Sequence, residues 1–247
     1  MNRREIAFTP HEMELFAGGS GDRSALHTDP DFAAGTTFGA CIVYGGMLTI
    51  ALLGSLPPAE LARLRSVRSS FPGPVYPGEP LLLQATAHPS RDGAWEIGGH
   101  AHGKLVARTL TDTRRDVARA EATIDRAAAE PARTAYGAGA ELRALAAGLG
   151  AEALHPALLE GIAWASYLVG TGAAGIQGLC AAVDVTVAAD SVSAGGTAEQ
   201  GWSVLADRDA RSGRHLMEGI LYDGAGVARS VVRVELFPVP TKAAAAR

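Results

Sequence analysis

Two stretches of this sequence limit what it can fold into: "GGMLTIALLG", Gly45–Gly54, and "GIAWASYLVG", Gly161–Gly170. Each opens and closes on glycine, each is apolar almost all round, and they lie 116 positions apart. A helix without a polar face has to be buried on most sides. Both sit in longer uncharged runs, Thr36–Ala59 and Gly161–Val183, of a length that could span a bilayer. Glycines and prolines cut each run to a helix of roughly three turns, too short to span. Each window is therefore expected to be a buried core helix. Strand-like text follows both. In the first half it is "SVRSSFP", "EPLLLQATAH", "AWEIGGHAHG" and "KLVARTLTD"; in the second, "AAVDVTVAADS", "QGWSVLADRD", "RHLMEGILYD" and "GVARSVVRVELF". Valine, threonine, leucine and isoleucine alternate in them, and Arg91-Asp92-Gly93, Ser212-Gly213 and Asp223-Gly224 punctuate the turns. Each half thus reads as one buried helix covered by an antiparallel meander, an α+β architecture. The expected organisation is a first unit at 1–113, a linker at 114–140 rich in alanine and mixed charge, a second unit at 141–240 and a frayed tail at 241–247.

Composition narrows the function classes. The chain has 247 residues with a net charge of −4 and no basic tract, which argues against a nucleic-acid partner. Its two cysteines, Cys41 and Cys180, are far apart in apolar surroundings, and neither a disulfide framework nor a zinc site is expected from them. The first residues, "MNRREIAFTPHEME", lack the continuous apolar segment of a signal peptide, so a reducing cytoplasm is the expected location and no membrane is expected.

The polar text that carries chemistry is "SGDRSALHTDPDFA", Ser20–Ala33. Asp22 and His27 could share one water if the loop between them folds back. Asp-x4-His alone is equally compatible with a solvated loop. Thr28-Asp29-Pro30-Asp31 is a helix start, with a capping oxygen and proline at the first helical position. With its surroundings, "FAGGSGDRSALHTDPDFAAGTTFGACIVYGGML", the stretch resembles the MaoC-like, R-specific enoyl-thioester hydratase (hydratase 2) family. The likeness is specific over the first forty-odd residues and generic to about position 112. In the second half, "HPALLEG", His155–Gly161, resembles the helix entry of a polyketide-synthase dehydratase hot dog, with Glu160 where that family has aspartate.

The resemblance implies a double hot dog, two curved antiparallel sheets each wrapped round a central helix. It also implies a hydratase or dehydratase of 2-enoyl and 3-hydroxyacyl thioesters, in polyketide-type or fatty-acyl metabolism. Such a reaction needs a base, an acid and a donor for the carbonyl on which negative charge builds. By resemblance, Asp22 and His27 are the acid–base pair and the Gly45 backbone N–H is the oxyanion donor. Position supports the latter, because the free N–H groups of a helix start favour negative charge. Ser24, Tyr44 and Gly46 are expected to bind substrate. Glu160 is the second-choice carboxylate, with stabilisation of a helix start as its plainer role, and His155 is read as a cap. His100 and His102 are read as one face of a strand. The substrate is expected on CoA or on the phosphopantetheine of an acyl-carrier protein, with no metal and no redox cofactor, in a pseudo-dimeric monomer or a homodimer. Four positions leave the family pattern: Ser24 and Ala25 stand where it has Asn-Pro, Tyr44 where histidine commonly precedes the oxyanion glycine, and Gly46 where a bulkier residue is usual. The alternatives are a thioesterase on the same fold, and a silent or repurposed hot dog that binds an acyl carrier or closes a ring on an enoyl thioester.

Overall fold

A computed structural model describes residues 2–114, 132–171, 178–188, 198–209, 213–223 and 227–242, with 132–135 and 198–209 described as backbone alone. Ten strands form one antiparallel sheet: β1 (Asn2–Ile6), β2 (Ser66–Ser70), β3 (Leu81–Ala87), β4 (Trp95–Ala101), β5 (Lys104–Asp112), β6 (Ala132–Tyr136), β7 (Gly178–Val187), β8 (Ala198–Asp209), β9 (Arg214–Tyr222) and β10 (Ala228–Pro238). Their order is β1-β3-β4-β5-β2-β7-β10-β9-β8-β6. Read outward from the centre, the two halves have the same topology, strand for strand. They join where β2 pairs antiparallel with β7, and the central pair of that register, Arg68 opposite Asp184, is again 116 positions apart. The duplication heard in the helices therefore also sets the seam of the sheet. The structure is a double hot dog.

The sheet curls round two helices, α4 (Gly45–Leu53) and α7 (Pro156–Gly170), which pack against each other. Every residue of α4 from Gly46 to Leu53 is buried, as its apolar circumference requires. One hydrophobic core runs through both halves, from Phe16, Ile50 and Leu83 to Trp164, Val185 and Val232. Helix α7 begins five residues before the glycine-bounded window, because the His155 side chain caps it by accepting from Ala157 N–H at 3.2 Å and Pro156 occupies its first position. Part of the stretch read as linker is also ordered structure. Ala132–Tyr136 is the edge strand β6, the counterpart of β1, while 115–131 lie outside the described residues.

Helix α1 (Pro10–Ser20) starts on a reciprocal cap, in which Thr9 Oγ1 accepts from Glu12 N–H and Glu12 Oε2 from Thr9 N–H. It ends on Gly21, whose φ of 74° is a left-handed corner. Helix α6 (Ala140–Gly148) is its counterpart in the second half and packs on it, leading into Gly150 at φ 81°. Short helices α2 (Ala25–Thr28), α3 (Pro30–Gly35) and α5 (Pro58–Arg63) complete the first half. Asp29 caps α3 by accepting from Asp31 and Phe32 N–H. His100 and His102 do not share a strand face. β4 ends at Ala101, and His102 takes φ 48° in the tight turn to β5, where its Nε2 meets Glu79 Oε1 at 2.8 Å. No helix among the described residues is long and apolar enough to cross a membrane.

Candidate active site

A cavity of about 140 Å³ opens between the two central helices. Its polar wall comprises Asp22, His27 and Ser166; Gly45 and Gly46 lie at one end, and Ile42, Leu48, Phe71, Ile162, Val169 and Val183 are among its apolar lining. The site therefore draws on both halves, with α7 and β7 supplying part of the lining.

Asp22 follows the left-handed corner at Gly21 and is 1% exposed. A buried carboxylate needs donors. Its Oδ1 accepts from Ser24 N–H at 3.0 Å, closing a local turn, and its Oδ2 accepts from the Ser166 hydroxyl at 2.6 Å. The backbone of the corner is held as closely. The Asp22 N–H donates to Ser20 Oγ, the Tyr44 hydroxyl donates to the Asp22 carbonyl, and the Tyr136 hydroxyl donates to the Ser20 carbonyl.

His27 lies on α2. Its Nδ1 is 2.8 Å from the Ile42 carbonyl, and because a carbonyl only accepts, Nδ1 carries the proton and Nε2 keeps its lone pair. The ring stacks on Tyr44 with centroids 4.0 Å apart. Burial lowers its pKa below the ordinary histidine value; the nearby Asp22 charge and the Ile42 hydrogen bond act the other way without cancelling it. At neutral pH it is an uncharged base. Burial, reinforced by the Asp22 charge, raises the pKa of Tyr44, which stays a neutral phenol.

Helix α4 delivers its start to the cavity. The first intrahelical bond runs from Leu48 N–H to the Tyr44 carbonyl at 3.0 Å, so the N–H groups of Gly45, Gly46 and Met47 precede any i−4 partner. Two aromatic rings approach both leading glycines closely. A Cβ on Gly45 would come 2.8 Å from the Phe71 ring, and one on Gly46 would come 2.7 Å from the Phe16 ring.

Of the residues singled out in the sequence, Asp22, His27, Gly45 and Gly46 meet at this cavity. Ser24 and Tyr44, expected to bind substrate, are not in its lining. Ser24 contributes its backbone N–H to Asp22, and Tyr44 lies fully buried behind His27. Glu160 is also outside the lining; it pairs with Arg229 at 2.8 Å from the second turn of α7, so it does not stand at the helix start as expected. Among the described residues, no group of three or more His, Cys, Asp or Glu is arranged to hold a metal ion. Sequence reasoning missed Ser166, Gly170 and the Phe71–Val75 wall. The one available signal was that Ser166 is the small hydroxyl residue in an otherwise apolar helix window.

A curled antiparallel sheet round paired central helices, with an Asp–His pair facing a helix start, defines a hot-dog protein with one composite site. Residues 1–106 match the MaoC like domain, and the chain belongs to the MaoC-like family. It is 30% identical over 114 residues to 3-hydroxyacyl-thioester dehydratase Z of Mycobacterium tuberculosis, an alignment covering 42% of this chain and 72% of that protein. It is 32% identical over 93 residues to the enoyl-CoA hydratase ChsH3 of the same organism, covering 32% of each, so it spans only about a third of that relative. Among solved structures, it superposes on a MaoC domain protein dehydratase from Chloroflexus aurantiacus with a TM-score of 0.68 at 13% identity, over 97% of this chain and 94% of that one. A Mycobacterium tuberculosis protein described as a double hotdog fold gives 0.64 at 14%, over 95% and 93%. These two structural likenesses concern the fold.

Proposed function

We propose that the protein is a hydro-lyase that adds water across 2-enoyl thioesters, or removes it from 3-hydroxyacyl thioesters, carried on CoA or on a phosphopantetheine arm. One observation carries the reading: a buried carboxylate and an imidazole line the same largely apolar cavity as the first residues of a central helix. In hydration, the acyl chain lies along the apolar wall and the thioester carbonyl accepts from Gly45 N–H. A water held between Asp22 and His27 Nε2 gives a proton to the imidazole as its oxygen bonds to C3. The electron pair of the C2–C3 double bond shifts toward the carbonyl, and the helix start stabilises the resulting enolate. C2 then takes a proton from the imidazolium, so the net change is one water added. Dehydration runs the same steps in reverse. The names of the mycobacterial relatives support both directions of this chemistry.

The test is incubation with crotonyl-CoA and longer enoyl-CoAs, following loss of the enoyl absorbance and, separately, release of free thiol. Wild type should hydrate without releasing thiol. Asp22→Asn and His27→Ala should each lose about 10²-fold or more in kcat. Thiol release without hydration would make the protein a thioesterase and sink the proposal.

A further inference from the structure

We infer that Ser166, on the central helix of the second half, is a positioning residue for Asp22, so that the carboxylate of the first half is seated by the half that contributes no carboxylate to the cavity lining. The inference rests on the proposed reaction for its kinetic consequence and on geometry for its structural one.

Successive turns of α7 form the seat. Ser166 donates to Asp22 Oδ2 at 2.6 Å, a length typical of a hydroxyl bonded to a charged oxygen. Four residues on, and so on the same helix face, Gly170 leaves the space the carboxylate fills: a Cβ there would lie 1.9 Å from Asp22 Oδ1. Tyr167 lies under Gly21, where an added Cβ would be 3.2 Å from its ring. The Gly21–Asp22 corner is thus docked on three residues of the opposite half.

The duplication provides an internal comparison. The counterpart of Gly170, 116 positions earlier, is Gly54, and it too is pressed by the opposite half: a Cβ on Gly54 would meet the Leu149 carbonyl oxygen at 2.1 Å. The counterpart of the Gly21 corner is Gly150, also left-handed. The residue after it is Ala151, not an acid, and the counterpart of Ser166 is Ile50, fully buried. The glycine recurs in both halves, as close packing of the corner demands. The hydroxyl occurs only where there is a carboxylate to receive it. Packing alone therefore does not account for Ser166.

With Oδ2 tied to Ser166, the rotation of the carboxylate is fixed. Without that hydroxyl, Asp22 keeps its backbone contacts and one N–H donor, but the orientation of its oxygens toward a shared water is lost. The experiment compares Ser166→Ala and Ser166→Thr with wild type on crotonyl-CoA, all checked for wild-type far-UV circular dichroism. Loss of a hydrogen bond to a charged group should lower the alanine variant's kcat about tenfold to a hundredfold with KM changed little, and threonine should restore most of it. Independently of turnover, the Asp22 carboxylate stretch, identified in the infrared difference spectrum of wild type against Asp22→Asn, should shift in Ser166→Ala and return in Ser166→Thr. Wild-type kcat in the alanine variant, a change confined to KM, or an unmoved carboxylate band would each overturn the inference. If wild type hydrates no enoyl thioester, the proposed function fails, and the infrared band alone then decides whether Ser166 seats Asp22.

Discussion

Gly170→Ala should disable the site through a single added methyl group that touches no catalytic atom covalently. The new Cβ would stand 1.9 Å from Asp22 Oδ1 and 2.5 Å from its Cγ. Carbon and oxygen in contact sit well over 3 Å apart, so the carboxylate or the helix must move by about 1 Å or more. The carboxylate has little freedom, because Ser24 N–H, Ser166 and the anchored corner hold it. Overpacking of this kind costs roughly 1–3 kcal/mol. For a chain of this size that is a Tm loss of about 2–4 °C per kcal/mol. A displacement of about 1 Å at a catalytic group can lower turnover about 10²-fold. Gly54→Ala is the matched control. It puts a Cβ 2.1 Å from the Leu149 carbonyl oxygen in the other half, a backbone clash at least as severe, at a residue outside the cavity lining. Thermal unfolding and the hydration assay on both proteins should show comparable destabilisation in the two but loss of kcat in Gly170→Ala alone. Equal kcat losses in both variants at a temperature where both are folded would show that α7 does not seat Asp22 specifically, and the reasoning would be refuted.

Other expectations are as direct. Glu160→Gln should hydrate enoyl thioesters like wild type, while Arg229→Met should be destabilised by about 1–3 kcal/mol in denaturant titration, because it leaves the partly buried Glu160 without its hydrogen-bonded partner; an inactive Glu160→Gln beside an active Asp22→Asn would move the catalytic carboxylate to the second half. Tyr44→Phe should keep the ring stacked on His27 but lose the hydrogen bond to the Asp22 carbonyl, lowering stability by about 1 kcal/mol as read from the urea midpoint. For pH, the folded pKa of His27 lies below its unfolded value of 6.5, so between those two values the unfolded state binds more protons. That contribution to stability is present above 6.5 and is lost as pH falls through the window, whereas His27→Gln should flatten this part of the Tm profile. The same depressed pKa should keep kcat/KM high below pH 6.5, with the acidic limb of the profile lying lower than an ordinary histidine gives.

Local rules made much of this legible. The two apolar windows became α4 and most of α7, and the eight strand-like segments became β2–β5 and β7–β10, because burial on all sides and period-two alternation are properties of short stretches. Asp22, His27 and Gly45 were legible through the motif and its distance from a helix start. The short edge strands β1 and β6 were not. "NRREI" has a charged, largely exposed face, and its strand character comes from pairing with β3, a partner some eighty residues away. That Ser24 and Tyr44 stand outside the cavity lining was not legible, because proximity to the motif along the chain does not tell which way a side chain points. Tyr44 turns inward under His27, and the Ser24 backbone rather than its side chain is what Asp22 uses. Ser166 could not have been found from spacing at all, since it reaches Asp22 from 144 residues away.

Among the described residues, the internal comparison also gives a physical reason why the second half presents no Asp–His pair of its own. Between the left-handed corner and the central helix, the first half spends the stretch from Asp22 to Tyr44, which holds α2, α3 and His27; the second half spends only Ala151 to His155. So short a connection cannot carry an imidazole out to a cavity and back, and its histidine is used as the α7 cap. Once the second half had no loop to present, its central helix was no longer bound to be half of a symmetric pair of seats. Position 166 could specialise as a donor to the one carboxylate, and its counterpart Ile50 could return to plain apolar packing. A homodimer of identical hot dogs has to place the same residue at both positions. Two halves in one chain are free of that constraint, and the difference between Ser166 and Ile50 at matching helix positions is a case of it.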